Sequence, residues 1–132
     1  MQINALNANE IINAARTLSE ACHGIARECG WWNQSDPNTS MANPLHFSNN
    51  LCLIHSEISE SMEGDRKGLM DDKLPHRPMR EVELADAVIR IFDLAGGYGM
   101  DLAGAIVEKM AYNITRADHQ PENRAAEGGK AY

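Results

Sequence analysis

Four carboxylates interrupt the apolar stripes of this chain, and their placement constrains the fold more than any other feature. They come as two pairs, Glu57-Ile58-Ser59-Glu60 and Glu83-Leu84-Ala85-Asp86. Each pair has i, i+3 spacing, which puts both acids on one face of a helix. Each lies inside an otherwise apolar helical pattern, where an acid is costly to bury unless something neutralises it. Four carboxylates from two facing helices would repel one another. A hard divalent cation such as Mg²⁺ turns that repulsion into attraction. Mg²⁺ held by a few carboxylates keeps positions open for water and phosphate oxygens, so the pattern points to metal-dependent phosphate chemistry. The competing reading, a solvated helix face, is usual for a single acid pair and harder to sustain for two.

The surrounding periodicity is helical throughout. Leu6, Ile11, Ala15, Leu18, Cys22, Ile25 and Cys29 form one stripe of a first helix running from about Ala5 to about Cys29, closed by Gly30. Residues 31–44 are rich in Asn, Ser, Asp and Pro and read as a loop. A second helix starts near Leu45 or Phe47 and carries Leu51, Ile54, Ile58 and Met62 on one side, with Gly64 and Gly68 weakening its end. The charged stretch from Asp65 to Pro78 reads as a mobile connection. Pro78 suits the first turn of a third helix, which continues through Val82, Ala85, Ile89 and Phe92 to about Leu94. Gly96, Gly97 and Gly99 make a break, and Asp101 caps a fourth helix with Leu102, Ala105, Ile106 and Met110 on its core face. Strand-like alternation is absent, so the expected class is all-α, with a domain over 1–117 and a polar, Gly-rich tail over 118–132.

The chain's 132 residues suffice for one domain with a core. Its net charge of −7 argues against binding a nucleic acid polymer, which calls for a basic face. It leaves room for a nucleotide, because bound metal reverses the local charge. No apolar run is long enough to span a membrane, and the first ten residues lack the basic start of a secretory signal. Cys22, Cys29 and Cys52 have no zinc-like pairing and read as buried or idle thiols in a reducing cytoplasm.

Three further groups stand out. Lys109, Asn113 and Arg116 fall at i, i+4 and i+7 on the fourth helix, one polar stripe opposite the apolar one. They read either as an exposed face or as a grip for phosphate oxygens, which an Arg can hold bidentately. Trp31, Trp32, His46 and Phe47 flank the first loop, and with Asn50 they read either as packing beneath a loop or as a platform for a base and sugar. Asp93, one heptad after Asp86, reads as support for the acid site or as an i, i+3 partner of Arg90. Glu63 and Asp65 read as surface acids, and His23 and His55 as core or surface histidines rather than ligands.

Together these residues resemble the MazG-like, all-α nucleoside triphosphate pyrophosphohydrolases, whose motif is Glu-x-x-Glu, a spacer, then Glu-x-x-Asp. The segments "ELADAVIRIFDLAGGYGMDL" and "EKMAYNITR" are similar to the family's third helix and turn and to its Lys-x-x-x-Asn-x-x-Arg segment. The ending "GGKAY" is similar to that of small phage-type members, although residues 117–127 lengthen the approach to Lys130. The resemblance covers about Trp31 to Tyr132.

The resemblance implies a four-to-five-helix bundle whose helices pack between subunits of a homodimer or homotetramer. It implies Mg²⁺, for which Mn²⁺ can substitute, on Glu57, Glu60, Glu83 and Asp86, with Glu57 or Glu60 as proton acceptor. Lys109, Asn113, Arg116 and Lys130 would contact phosphates, and Trp31, Trp32, Phe47 and Asn50 the base and sugar. The reaction would convert a (d)NTP to its monophosphate and pyrophosphate, cleaning or adjusting a nucleotide pool, in the host cytoplasm if the protein is viral. The alternative is a non-catalytic helical or nucleotide-binding module. A di-iron bundle would need Glu-x-x-His on two helices, and the chain has one, Glu20 to His23.

Overall fold

The computed structural model describes residues 3–129, so Lys130 lies outside the described residues, as does the side chain of Leu6. The described chain is helical, in the order α1 (Ala5–Glu28), α2 (His46–Lys67), α3 (Met79–Gly97), α4 (Leu102–Thr115), a 3₁₀ turn (Ala117–His119) and α5 (Pro121–Ala125). It folds as two compact units, Leu18–Met100 and Met1–Thr17 with Asp101–Tyr132. No helix among the described residues is long and apolar enough to cross a membrane.

In the Leu18–Met100 unit, α2 and α3 pack side by side as a helical hairpin. Gly64 does not weaken α2, which runs on to Lys67. A Cβ at Gly64 would come within 2.9 Å of the Met79 side chain, so the glycine lets the start of α3 press onto the end of α2. The Ser61 hydroxyl donates to the Arg80 carbonyl at 2.8 Å and ties the same crossing.

The connection between these helices is hydrogen-bonded rather than mobile. Met79 N–H donates to the Leu69 carbonyl at 3.0 Å, and Asp71 N–H to the Arg77 carbonyl at 2.9 Å, closing a short antiparallel bridge between Met70 and Pro78. Asp71 is buried inside this loop, and its Oδ1 accepts from the backbone N–H groups of Lys73 (3.0 Å) and Leu74 (2.6 Å). An Asp that satisfies backbone donors a few residues ahead fixes a turn, which supplies the order that the charge-rich composition hides.

At its other end α3 outruns expectation, continuing to Gly97. The six-membered ring of Trp32 lies where a Gly97 side chain would be, 2.0 Å from an added Cβ. The C-terminal half of α1 joins the unit through the Ser19 hydroxyl, which donates to the Phe92 carbonyl at 3.2 Å.

In the other unit, Asp101 caps α4 as its position foretold, accepting from Gly104 N–H at 3.0 Å. The expected tail is folded locally up to Gly129: Asn123 donates its side-chain amide to the Ala117 carbonyl at 2.7 Å, and Gln120 to the Ile114 carbonyl at 2.7 Å.

Much apolar surface stays open. On α3, Leu84, Val88 and Ile91 are 51%, 45% and 38% exposed, and on α2 so are Leu51, Ile58 and Met62 to a similar extent. The i, i+4, i+7 spacing on α3 makes this a continuous unpartnered stripe.

Candidate metal centre

The α2–α3 hairpin brings three of the four acids together. Glu57, Glu60 and Glu83 each place a carboxylate oxygen within 4.8 Å of the others. Glu57 and Glu83 are buried, at 7% and 8% exposure, whereas Glu60 is exposed. Burial, then the charge of Glu60, a hydrogen bond with Glu57 and the charges of Glu57 and Asp86, push the Glu83 carboxyl up to about 7. Desolvation and neighbouring anions both disfavour the charged form, so the trio is held at a charge density that a cation would relieve. Asp86 stands outside the mutual 4.8 Å set. It still senses the site, since partial burial and the charge of Glu57 raise its carboxyl above the usual range while Arg90 opposes them.

Two residues that the sequence did not assign to the site belong to its surroundings. Arg90, one turn beyond Asp86, does not pair with Asp93. Its Nε donates to Glu57 Oε1 at 2.6 Å, across from α3 to α2. Asp71 also raises the Asp86 carboxyl through its charge, so the folded connection brings a further acid toward the centre. The Asp-Asp-Lys-Leu-Pro run at 71–75 carried the signal for a turn, but nothing in it revealed proximity to Asp86.

Asp93 serves a different cluster. It accepts from Trp32 Nε1 at 2.8 Å and bonds His23 Nδ1 at 2.9 Å. Trp32 also meets His23, His46 and Tyr98 edge-on, with ring centroids 4.9, 5.2 and 6.1 Å apart. His46 is buried, bonding the Tyr98 hydroxyl through Nδ1 at 2.9 Å, and Phe47 packs edge-on against Tyr98 at 5.1 Å. Asn50 donates to the His46 carbonyl at 2.9 Å. Of the residues considered for a base and sugar, Trp32, Phe47 and Asn50 are therefore engaged with this cluster, and Trp31 is exposed. Support for the acid site, considered for Asp93, gives way to anchoring Trp32, because an indole N–H in a partly buried setting needs an acceptor.

Of the residues considered for phosphate, Lys109, Asn113 and Arg116 lie in the other unit, on and just after α4. Lys109 Nζ sits over the Tyr112 ring, 4.7 Å from its centroid. Asn113 Oδ1 is buried without a hydrogen-bond partner. Arg116 grips Asp118 bidentately, at 2.8 and 2.5 Å, rather than presenting a free fork. Lys109 and Asn113 line an open groove of about 730 Å³ along with Leu102, Ile106 and Met110, so polar and apolar side chains share this face instead of occupying opposite ones.

No family model, curated protein or solved structure matches this chain.

Proposed function

We propose that the protein is a divalent-metal-dependent hydrolase of nucleoside triphosphates, releasing a monophosphate and pyrophosphate. The observation that carries this reading is the convergence of Glu57, Glu60 and Glu83 from two helices, with Glu83 buried and raised to about 7. The donor set is all oxygen, which suits Mg²⁺ or Mn²⁺ and not a soft metal. Glu57, Glu60 and Glu83 would hold the cation, and Asp86 would complete the set. When bound, the cation offsets phosphate charge and favours attack by water at the α-phosphorus. Glu60 is the better proton acceptor of the first pair, because it is exposed while Glu57 is buried and bonded to Arg90. Lys109, Asn113 and Arg116 stay the candidates for phosphate contact that the family resemblance implies, and Arg116 would have to exchange Asp118 for a phosphate.

The chain is further proposed to act as a homodimer or homotetramer, which would cover the stripes of α2 and α3. Their exposed Leu, Ile, Val and Met side chains form the kind of contiguous apolar surface that marks an interface.

Incubation with Mg²⁺ and each common NTP and dNTP, with products separated by chromatography, tests the reaction. Monophosphate plus pyrophosphate is the expected outcome, and the ranking of substrates names the base. Asp86→Ala should abolish turnover, and normal activity in that variant would sink the assignment. The alternative, a non-catalytic module, predicts no rise in melting temperature with Mg²⁺ plus nucleotide, whereas a ligand site predicts one.

A further inference from the structure

We propose that Arg90 is a built-in counter-cation of the acid cluster, occupying Glu57 until a divalent metal ion displaces it. The proposal rests on the metal-centre reading above and adds to it a control on loading. Its basis is geometric. Arg90 Nε donates to Glu57 Oε1 at 2.6 Å, and Glu57 is one of the three residues whose oxygens converge. The bond crosses from α3 to α2, so the guanidinium closes the hairpin at the level of the acids.

The charges facing the guanidinium are one-sided. Glu57 holds it directly, Asp86 lies one turn before it on the same helix and feels its charge, Asp71 bears on Asp86, and Glu57, Glu60 and Asp86 all bear on Glu83. Without a bound metal ion this group of carboxylates is relieved by Arg90 at Glu57, whereas Glu83 is buried against acids alone, sharing a hydrogen bond with Glu57. The burial of the two partners is also unequal. The Glu57 side chain is 9% exposed and that of Arg90 is 42% exposed. The carboxylate is therefore fixed in the fold, while the guanidinium can swing into water on its flexible stem once its bond to Glu57 is broken.

A divalent ion needs the same carboxylate, since hard cations take carboxylate oxygens directly. Metal and guanidinium, both cations, therefore compete for the Glu57 carboxylate. The metal gains the carboxylate only by breaking a charge-assisted hydrogen bond, a bond stronger than a neutral one. Two consequences follow for the loaded state. The site holds its metal more weakly than the acids alone would, and loading frees a planar fork beside it that fits phosphate oxygens.

Direct metal binding tests this without reference to turnover. Free Mn²⁺ is titrated by electron paramagnetic resonance at pH 8 against the full chain and against Arg90→Gln. The neutral variant should bind Mn²⁺ roughly tenfold more tightly, the ratio expected for losing one competing charge-assisted bond. Arg90→Lys, which keeps the charge, should stay close to the parent. The metal-free variant should melt lower than the parent and gain more on adding Mn²⁺, a pattern that general destabilisation would not produce. Arg90→Met keeps the methylene stem and serves as the neutral variant if Arg90→Gln does not fold. Equal or weaker Mn²⁺ binding by the neutral variant, with the parent binding normally, would overturn the role of Arg90 and leave the metal centre standing. No Mn²⁺ binding by the parent or any variant would overturn the metal centre and the role of Arg90 with it.

Discussion

Glu83 concentrates the chemistry of this protein in one side chain. It sits on the apolar side of α3 because the i, i+3 pattern puts it there, and it stays because the α2–α3 crossing closes over it. A carboxyl raised to about 7 in the fold, against an ordinary value of 4.5, links stability to pH. Between those two values the unfolded chain has lost the Glu83 proton and the folded chain keeps it. The metal-free protein should therefore lose stability as pH rises through this window, with the loss complete above it. Melting curves taken across the window should fall by several degrees, and Glu83→Gln should flatten the profile. Adding Mg²⁺ should oppose the fall, because a bound cation favours the ionised form. A profile equally steep in Glu83→Gln would assign the pH dependence to another group.

At the scale of elements, one contact orders the connection beside the site and another packs the first loop against the end of α3. Asp71 organises the connection that sets α3 against α2, and it does so with one buried oxygen shared by two backbone donors. Asp71→Ala would leave both donors without their acceptor and should cost about 1–3 kcal/mol. Asp71→Asn keeps an oxygen and should cost less; denaturant unfolding of the two variants checks the order. Gly97 is the second contact, since the Trp32 ring fills the space of its missing side chain. Gly97→Ala should cost about 1–3 kcal/mol by overpacking. It should also shift the tryptophan emission, because Trp32 cannot keep both its place and its bond to Asp93. Unchanged emission and stability would show that the indole moves aside freely.

For the whole molecule, the exposed apolar stripes are the dominant fact. Leu84, Val88 and Ile91 line one face of α3 and stand in water in the single chain. Such stripes are stable when another helix covers them, and a second copy supplies the same surface by symmetry. Sedimentation should find a dimer or tetramer, and Val88→Lys should shift it toward monomer while also lowering the melting temperature. A monomeric parent at working concentration would contradict the proposed assembly.

The sequence by itself determined the helices and the face on which the acids lie. Apolar periodicity and the Asp101 cap are local properties, so the starts of α2 and α4 and the pairing of Glu57 with Glu60 could be read directly. Glycine was the poorest guide, because its local effect is to break a helix while its effect at Gly64 and Gly97 is to admit a neighbour. Only the tertiary structure decided the partners of the charged groups. Arg90 could equally have paired along its own helix with Asp93, and Asp93 could have supported the acids. The packing of α2 against α3 gave Arg90 to Glu57, and Trp32 and His23 claimed Asp93. A charge pairs with whatever the fold brings within reach, and that distance is set by residues far away in the chain.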